Sequence, residues 1–175
     1  TPPEVGYYEI VLNSGASHTL EVVDGNQLSI IQVGDQLPPV ETPTVSDSRG
    51  VNPICTRFED PCPLHDLTVT EALSRSGPTA VLVSTPGFCQ SDVCGPALDV
   101  LITESEKLDT DWSVIHADVF VSPNDGDFRT APIISAFGLP FEPSLVVANS
   151  DGVITEIVHL AMDRDEISAA LETVN

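Results

Sequence analysis

Ser84-Thr85-Pro86-Gly87-Phe88-Cys89-Gln90-Ser91-Asp92-Val93-Cys94-Gly95-Pro96-Ala97-Leu98 is the stretch on which the reading of this chain turns. The apolar run Ala80-Val81-Leu82-Val83 leads into it and reads as a buried parallel strand. Pro86-Gly87 is turn chemistry, and the apolar spacing of Ala97, Leu98, Val100, Leu101 and Ile102 is helical. A strand therefore ends, the chain turns, and a helix begins with a thiol in or beside its first turn. Unpaired N–H groups and the helix dipole stabilise a thiolate there, so the turn is a setting for reactive sulfur.

The 175 residues suffice for one well-packed domain with an appendage. Six Lys and Arg against 27 Asp and Glu give a net charge of −21, and Lys107 is the only lysine. Such a surface repels polyanions, so nucleic acid and anionic lipid are not expected partners. It reads as a solvated acidic face, with a docking face for a basic partner as the alternative. The sequence holds no 18-residue apolar run, so no membrane-spanning segment is expected in this chain. The cysteines fall into two local pairs, Cys55/Cys62 and Cys89/Cys94, which suits an oxidising compartment. With the acidic composition this gives an extracytoplasmic expectation, although a cytosolic redox or metal protein has the same count. The only methionine is Met162 and the first residue is Thr1, so a processed N-terminus is expected. The oligomeric state is not legible.

Residues 1–33 read as a β-meander, with strands at 7–12, 18–23 and 27–33 separated by Asn-Ser-Gly and Asp-Gly-Asn turns. It is expected either to pack on the main domain or to be the tail of a β-domain upstream, with His18 on its surface. Residues 34–66 are a Pro-rich linker ending in the Cys55/Cys62 loop. That loop reads as stapled by a structural disulfide, which would contribute about 2.5 kcal/mol in the chain-entropy view. A zinc site from Cys55, Cys62 and His65 is the competing reading, but it lacks a fourth ligand. No cofactor and no metal is therefore assigned.

Residues 67–175 form the main domain. A short helix capped by Thr70 is followed by the strand at 79–83, a helix over 94–108 and a strand over 112–119. His116 on that strand reads as structural. After a loop at 122–126, Pro132 opens a short helix to Phe137, then strands at 144–148 and 153–158 form a hairpin. A terminal helix over 163–174 is capped by Asp163. The order β-α-β-α-β-β-α makes the first two strands parallel and the last pair antiparallel, an α/β fold with a mixed central sheet.

That order, with the cysteine turn after the first core strand, resembles the thioredoxin fold. Cys94-Gly95-Pro96 is similar to the Cys-Gly-Pro of thioredoxin's Trp-Cys-Gly-Pro-Cys, with Ala97 where its second cysteine would be. The run from Phe137-Gly138-Leu139 through Pro143-Ser144-Leu145 to Asp151-Gly152 resembles thioredoxin's Tyr-Gly-Ile, Pro-Thr-Leu and Asn-Gly. The resemblance implies a three-layer α/β/α domain and makes Pro143 the cis-proline that faces the active site. Gly34-Asp35-Gln36-Leu37-Pro38 resembles the opening of the wider redoxin group, which includes TlpA-like oxidoreductases and peroxiredoxins. Ile54-Cys55-Thr56-Arg57, Cys62-Pro63-Leu64-His65-Asp66 and the Cys-x4-Cys-Gly-Pro turn resemble a group of exported bacterial thioredoxin-domain proteins.

The implied activity is thiol–disulfide exchange with protein thiols and disulfides through Cys89 and Cys94, with Cys89 attacking and Cys94 resolving. Three features depart from thioredoxin. The spacing is Cys-x4-Cys, Ser84 stands where thioredoxin has a buried Asp, and Asp92 between the cysteines opposes a thiolate. The alternative is a binding module whose Cys89/Cys94 disulfide is structural. Copper binding of the Sco type is disfavoured because Pro143 stands where the ligand histidine would fall, and His159 lies elsewhere on the last strand. The proline and spacing of a peroxidatic cysteine are absent around Cys89.

Overall fold

The computed structural model describes residues 4–58 and 61–174 of the chain. It divides into two compact units, residues up to 30 and residues from 31 onward.

The first unit is an antiparallel hairpin of β1 (Gly6–Val11) and β2 (Ser17–Val22), with Gly6 opposite Val22 and Val11 opposite Ser17. His18 lies exposed on β2. The third strand expected at 27–33 does not form. The Asp24 side chain accepts the Asn26 N–H at 3.0 Å and starts a 3-10 turn at Gly25–Gln27. A short side chain that captures nearby backbone in this way competes with a strand ladder.

In the second unit, the segment expected to be a linker runs against the sheet. Gly34 N–H donates to the Ile154 carbonyl at 2.9 Å and Leu37 N–H to that of Gly152 at 2.8 Å. Leu37, Val40 and Val51 are buried. The segment's prolines rigidify a covering layer, which does not act as a spacer. Helix α1 (Val69–Leu73) is capped by Thr68 and not by Thr70. The reciprocal cap needs an acidic side chain three residues on, and Thr68 has Glu71 there.

The sheet contains β3 (Thr79–Val83), β4 (Ser113–Ala117), β7 (Ser144–Ala148) and β8 (Ile154–His159) in the order β4-β3-β7-β8. β3 pairs parallel to β4 and antiparallel to β7, and β7 pairs antiparallel to β8. One face of β3 and β7 (Ala80, Leu82, Leu145, Val147) packs on α2 (Cys94–Ser105) and α4 (Arg164–Leu171) through Leu98, Leu101, Ile167 and Leu171. Val81, Val83 and Val146, alternate residues on the same strands, are equally buried. Val69 and Ala72 of α1, with Ile133 and Phe137 of α3 (Pro132–Phe137), supply further interior. The central strand is thus dry on both sides, as its unbroken apolar run requires. Between β4 and α3 the expected loop is a small antiparallel hairpin, β5 (Phe120–Ser122) and β6 (Asp127–Thr130). Phe120 and Phe128 meet edge-to-face across it, with ring centroids 5.3 Å apart.

Leu82 is fully buried in the middle of this core. Leu82→Ala is expected to cost about 3–4 kcal/mol in denaturant unfolding. Tyr7→Ala, on the exposed hairpin, should change stability by less than about 0.5 kcal/mol. Comparable costs at the two positions would contradict this placement of the core.

Candidate functional site

β3 delivers the chain to the cysteine turn, and α2 takes it away. Cys89 and Cys94 form a disulfide, with Cα atoms 6.1 Å apart. Cys94 is the first residue of α2 and is fully buried, whereas Cys89 is half-exposed with its sulfur 3.5 Å from Ser91 Oγ. Asp92 closes the turn at φ 57°, a left-handed conformation that Asp tolerates better than most residues. Cys89, Ser91, Phe120, Ile134, Phe141 and Glu142 line one cleft. Pro143 follows Glu142 through a cis peptide and is buried. The β5–β6 hairpin supports the turn, because Phe88 meets Phe128 edge-to-face at 5.7 Å.

The Cys55/Cys62 loop lies behind this turn. Thr56 Oγ1 donates to Asp118 Oδ2 at 2.7 Å and accepts the Gly87 N–H at 3.1 Å. Thr56 N–H also donates to Asp118 Oδ2, and Thr85 Oγ1 lies 3.2 Å from Thr56 Oγ1. The contact leaves no room for a side chain at residue 87, since a Cβ there would sit 2.7 Å from the Thr56 carbonyl oxygen. Arg57 reaches Asp99 on α2 at 3.1 Å, a half-exposed pair of small energetic weight.

The expected Cys55–Cys62 disulfide is not formed; both residues are buried free thiols. They turn onto His116, the histidine that the sequence reads as merely structural. Its Nδ1 lies 3.6 Å from Cys55 Sγ, 3.5 Å from Cys62 Sγ and 3.3 Å from His65 Nε2. The physical reason is a buried polar partner: a disulfide would leave two imidazoles facing an inert bridge in an apolar interior. His65 and His116 stand 51 residues apart in sequence, so no local spacing joins them. The usable signal was the incomplete Cys55, Cys62 and His65 set together with a histidine inside a strand of otherwise buried residues. The two thiols titrate as a pair. The hydrogen bond from Cys62 holds Cys55 toward thiolate against the opposing effect of burial, while that same contact and burial push Cys62 up.

His159, expected at the surface, is half-buried, hydrogen-bonded to Ser144 Oγ at 2.8 Å and edge-on to Phe141. Burial lowers its pKa. Two carboxyls stand near the end of β3. Burial raises the Asp118 pKa, opposed by His116 and by the Thr56 and Thr85 hydrogen bonds. Glu142, half-buried in the cleft, is pushed up to about 7 by burial and, to a lesser degree, by Asp118, against the Thr85 N–H and His116.

No protein-family model and no curated protein sequence matches this chain. Among solved structures it resembles a thiol-disulfide isomerase from Corynebacterium glutamicum, with a TM-score of 0.50 at 14% identity over 85% of this chain and 97% of that one. It also resembles a thiol:disulfide interchange protein of the thioredoxin family from Chlorobium tepidum, with a TM-score of 0.52 at 9% identity over 82% of this chain and 98% of that one. The chain has the thioredoxin fold.

The Glu142 position predicts a pH signature. Its folded pKa near 7 lies above the ordinary value of 4.5, so the folded protein holds a proton that the unfolded chain releases. Its contribution to stability is full below about pH 4.5 and is lost as pH rises through about 7. Glu142→Gln should therefore gain melting temperature relative to the parent protein between these limits. Parallel melting curves for the two proteins across that range would contradict the assignment.

Proposed function

We infer that the protein is a thiol–disulfide oxidoreductase that acts outside the cytoplasm on protein thiols and disulfides. The observation that carries this reading is the asymmetry of the Cys89/Cys94 pair. One sulfur opens onto a cleft of mixed lining that includes Glu142, the residue before cis-Pro143, and the other is buried at the first residue of α2. The assignments are Cys89 as nucleophile, Cys94 as resolving thiol and Pro143, buried directly after Glu142 of the cleft lining, as the residue that positions the docking wall. Only one of the two cysteine pairs is bridged, so the extracytoplasmic reading rests on the acidic composition and on that bridge.

In the reducing direction, the Cys89 thiolate attacks a partner disulfide, forming one S–S bond and expelling one partner thiolate. The Cys94 thiolate then attacks Cys89, closing the internal disulfide and releasing the second partner thiolate. Two electrons pass to the partner, and each released thiolate takes up a proton. Glu142 shares the cleft with Cys89 and has a pKa near 7, which suits it to hold such a proton. It does so from a different position than the buried Asp that Ser84 replaces. In the oxidising direction the same steps run in reverse.

Reduced Cys94→Ser is expected to trap a mixed disulfide with a model disulfide substrate, located at Cys89 by mass mapping. Reduced Cys89→Ser should trap little, because Cys94 is buried. Trapping only through Cys94 would reverse the roles. Trapping through neither would favour a binding module with a structural disulfide.

A further inference from the structure

Cys55, Cys62, His65 and His116 bring four donor atoms within 4.8 Å of one another, all four residues being buried. Hydrogen bonding alone accounts poorly for this crowding. His116 Nε2 lies 3.2 Å from the Ser84 carbonyl, which only accepts, so Nε2 carries the ring proton and donates it there. Ser84 Oγ is also within 2.9 Å of that nitrogen. Nδ1 then has a single lone pair, yet three heteroatoms surround it.

A tetrahedral ion supplies the missing centre. With Zn–S near about 2.3 Å and Zn–N near about 2.05 Å, the ligand atoms of a tetrahedron stand about 3.5 Å apart for S···N and about 3.3 Å for N···N. The observed separations are 3.6 and 3.5 Å for the two S···N edges and 3.3 Å for the N···N edge. We propose that Cys55, Cys62, His65 and His116 form a closed structural zinc site.

Charge supports the choice of metal. Two thiolates and two neutral imidazoles cancel a divalent cation, so the buried site is neutral overall, and a mixed sulfur and imidazole tetrahedron is the ligand set zinc takes in structural sites. Binding forms two Zn–S bonds, displaces the S–H bond of Cys62 and its hydrogen bond to Cys55, and releases to water the protons that the two sulfurs carry, with no change of oxidation state. The surroundings match a ligating role as well. The Cys62 N–H points at Cys55 Sγ at 3.5 Å, and the Ser84 contacts orient His116 with its lone pair toward the sulfurs. His65 Nδ1 has no hydrogen-bond partner among the described residues, so burial orients that ring. The site would fix Cys55, and with it Thr56, against the back of the redox turn. The inference does not depend on the exchange activity of Cys89 and Cys94.

The test uses the full chain, reduced and loaded anaerobically with Zn2+, or with Co2+ as a spectroscopic substitute. One equivalent is expected to bind, with the intense visible bands of tetrahedral cobalt and the charge-transfer bands of thiolate ligation. A double variant, Cys89→Ser with Cys94→Ser, should keep both. Ser84→Ala, which removes no ligand, should weaken metal binding about tenfold. Cys62→Ser should lose the thiolate bands. Absence of binding by the parent chain overturns the proposal, as do an octahedral cobalt spectrum, bands that vanish only in the double variant, or selective uptake of Cu+. A Cys55–Cys62 disulfide in protein isolated without reductant overturns it too, and that result needs no variant to fold.

Discussion

The structure depends on how the end of β3 is held. Where the strand leaves the apolar core, Ser84 and Thr85 are fully buried polar residues with partners on two other segments. Ser84 meets His116, its N–H bonds the Ala117 carbonyl, and Thr85 meets Thr56, which in turn binds Asp118. Each neutral bond contributes only about 1 kcal/mol net, but leaving any of these buried groups without a partner would cost more. The junction is therefore an all-or-none constraint, and it fixes where the chain can turn.

From that constraint the geometry of the cysteine pair follows. Gly87 is pressed on the Thr56 backbone, Phe88 is held by Phe128, and the helix that begins at Cys94 is locked by Leu98 and Leu101 in the core. The turn between Phe88 and Cys94 is left to face the cleft through Cys89, Gln90 and Ser91, and Asp92 closes it in a left-handed conformation. Access and burial are thereby divided between the two sulfurs by the scaffold. Their chemistry is a consequence of which side of the constraint each one falls on.

Much of this was legible in the sequence, and for physical reasons. Ala80–Val83 has no polar residue to turn to water, so a central strand was the only economical reading, and Pro-Gly with helical spacing beyond it placed the turn. The local hairpin of β7 and β8 and the Asp163 cap depend on residues a few positions apart. What escaped depends on distance. The strand at 27–33 was lost to a side-chain capture by Asp24, and Thr68 displaced Thr70 because the reciprocal cap counts three residues forward to Glu71. The β5–β6 hairpin is too short to show periodicity and is held by aromatic contacts. His116 looked like one more buried strand residue, since nothing within its own strand reveals the cysteines and the second histidine folded against it.

The central claim, that Cys89 and Cys94 form an exchangeable pair held open to partners by a rigid frame, is tested most directly by a redox titration of the native protein. The chain is equilibrated with glutathione mixtures, quenched by alkylation and mapped by mass, with circular dichroism recorded on the same samples. The account predicts that Cys89 and Cys94 pass reversibly between disulfide and dithiol while the fold is retained. A bond that resists every mixture until the protein unfolds would contradict it.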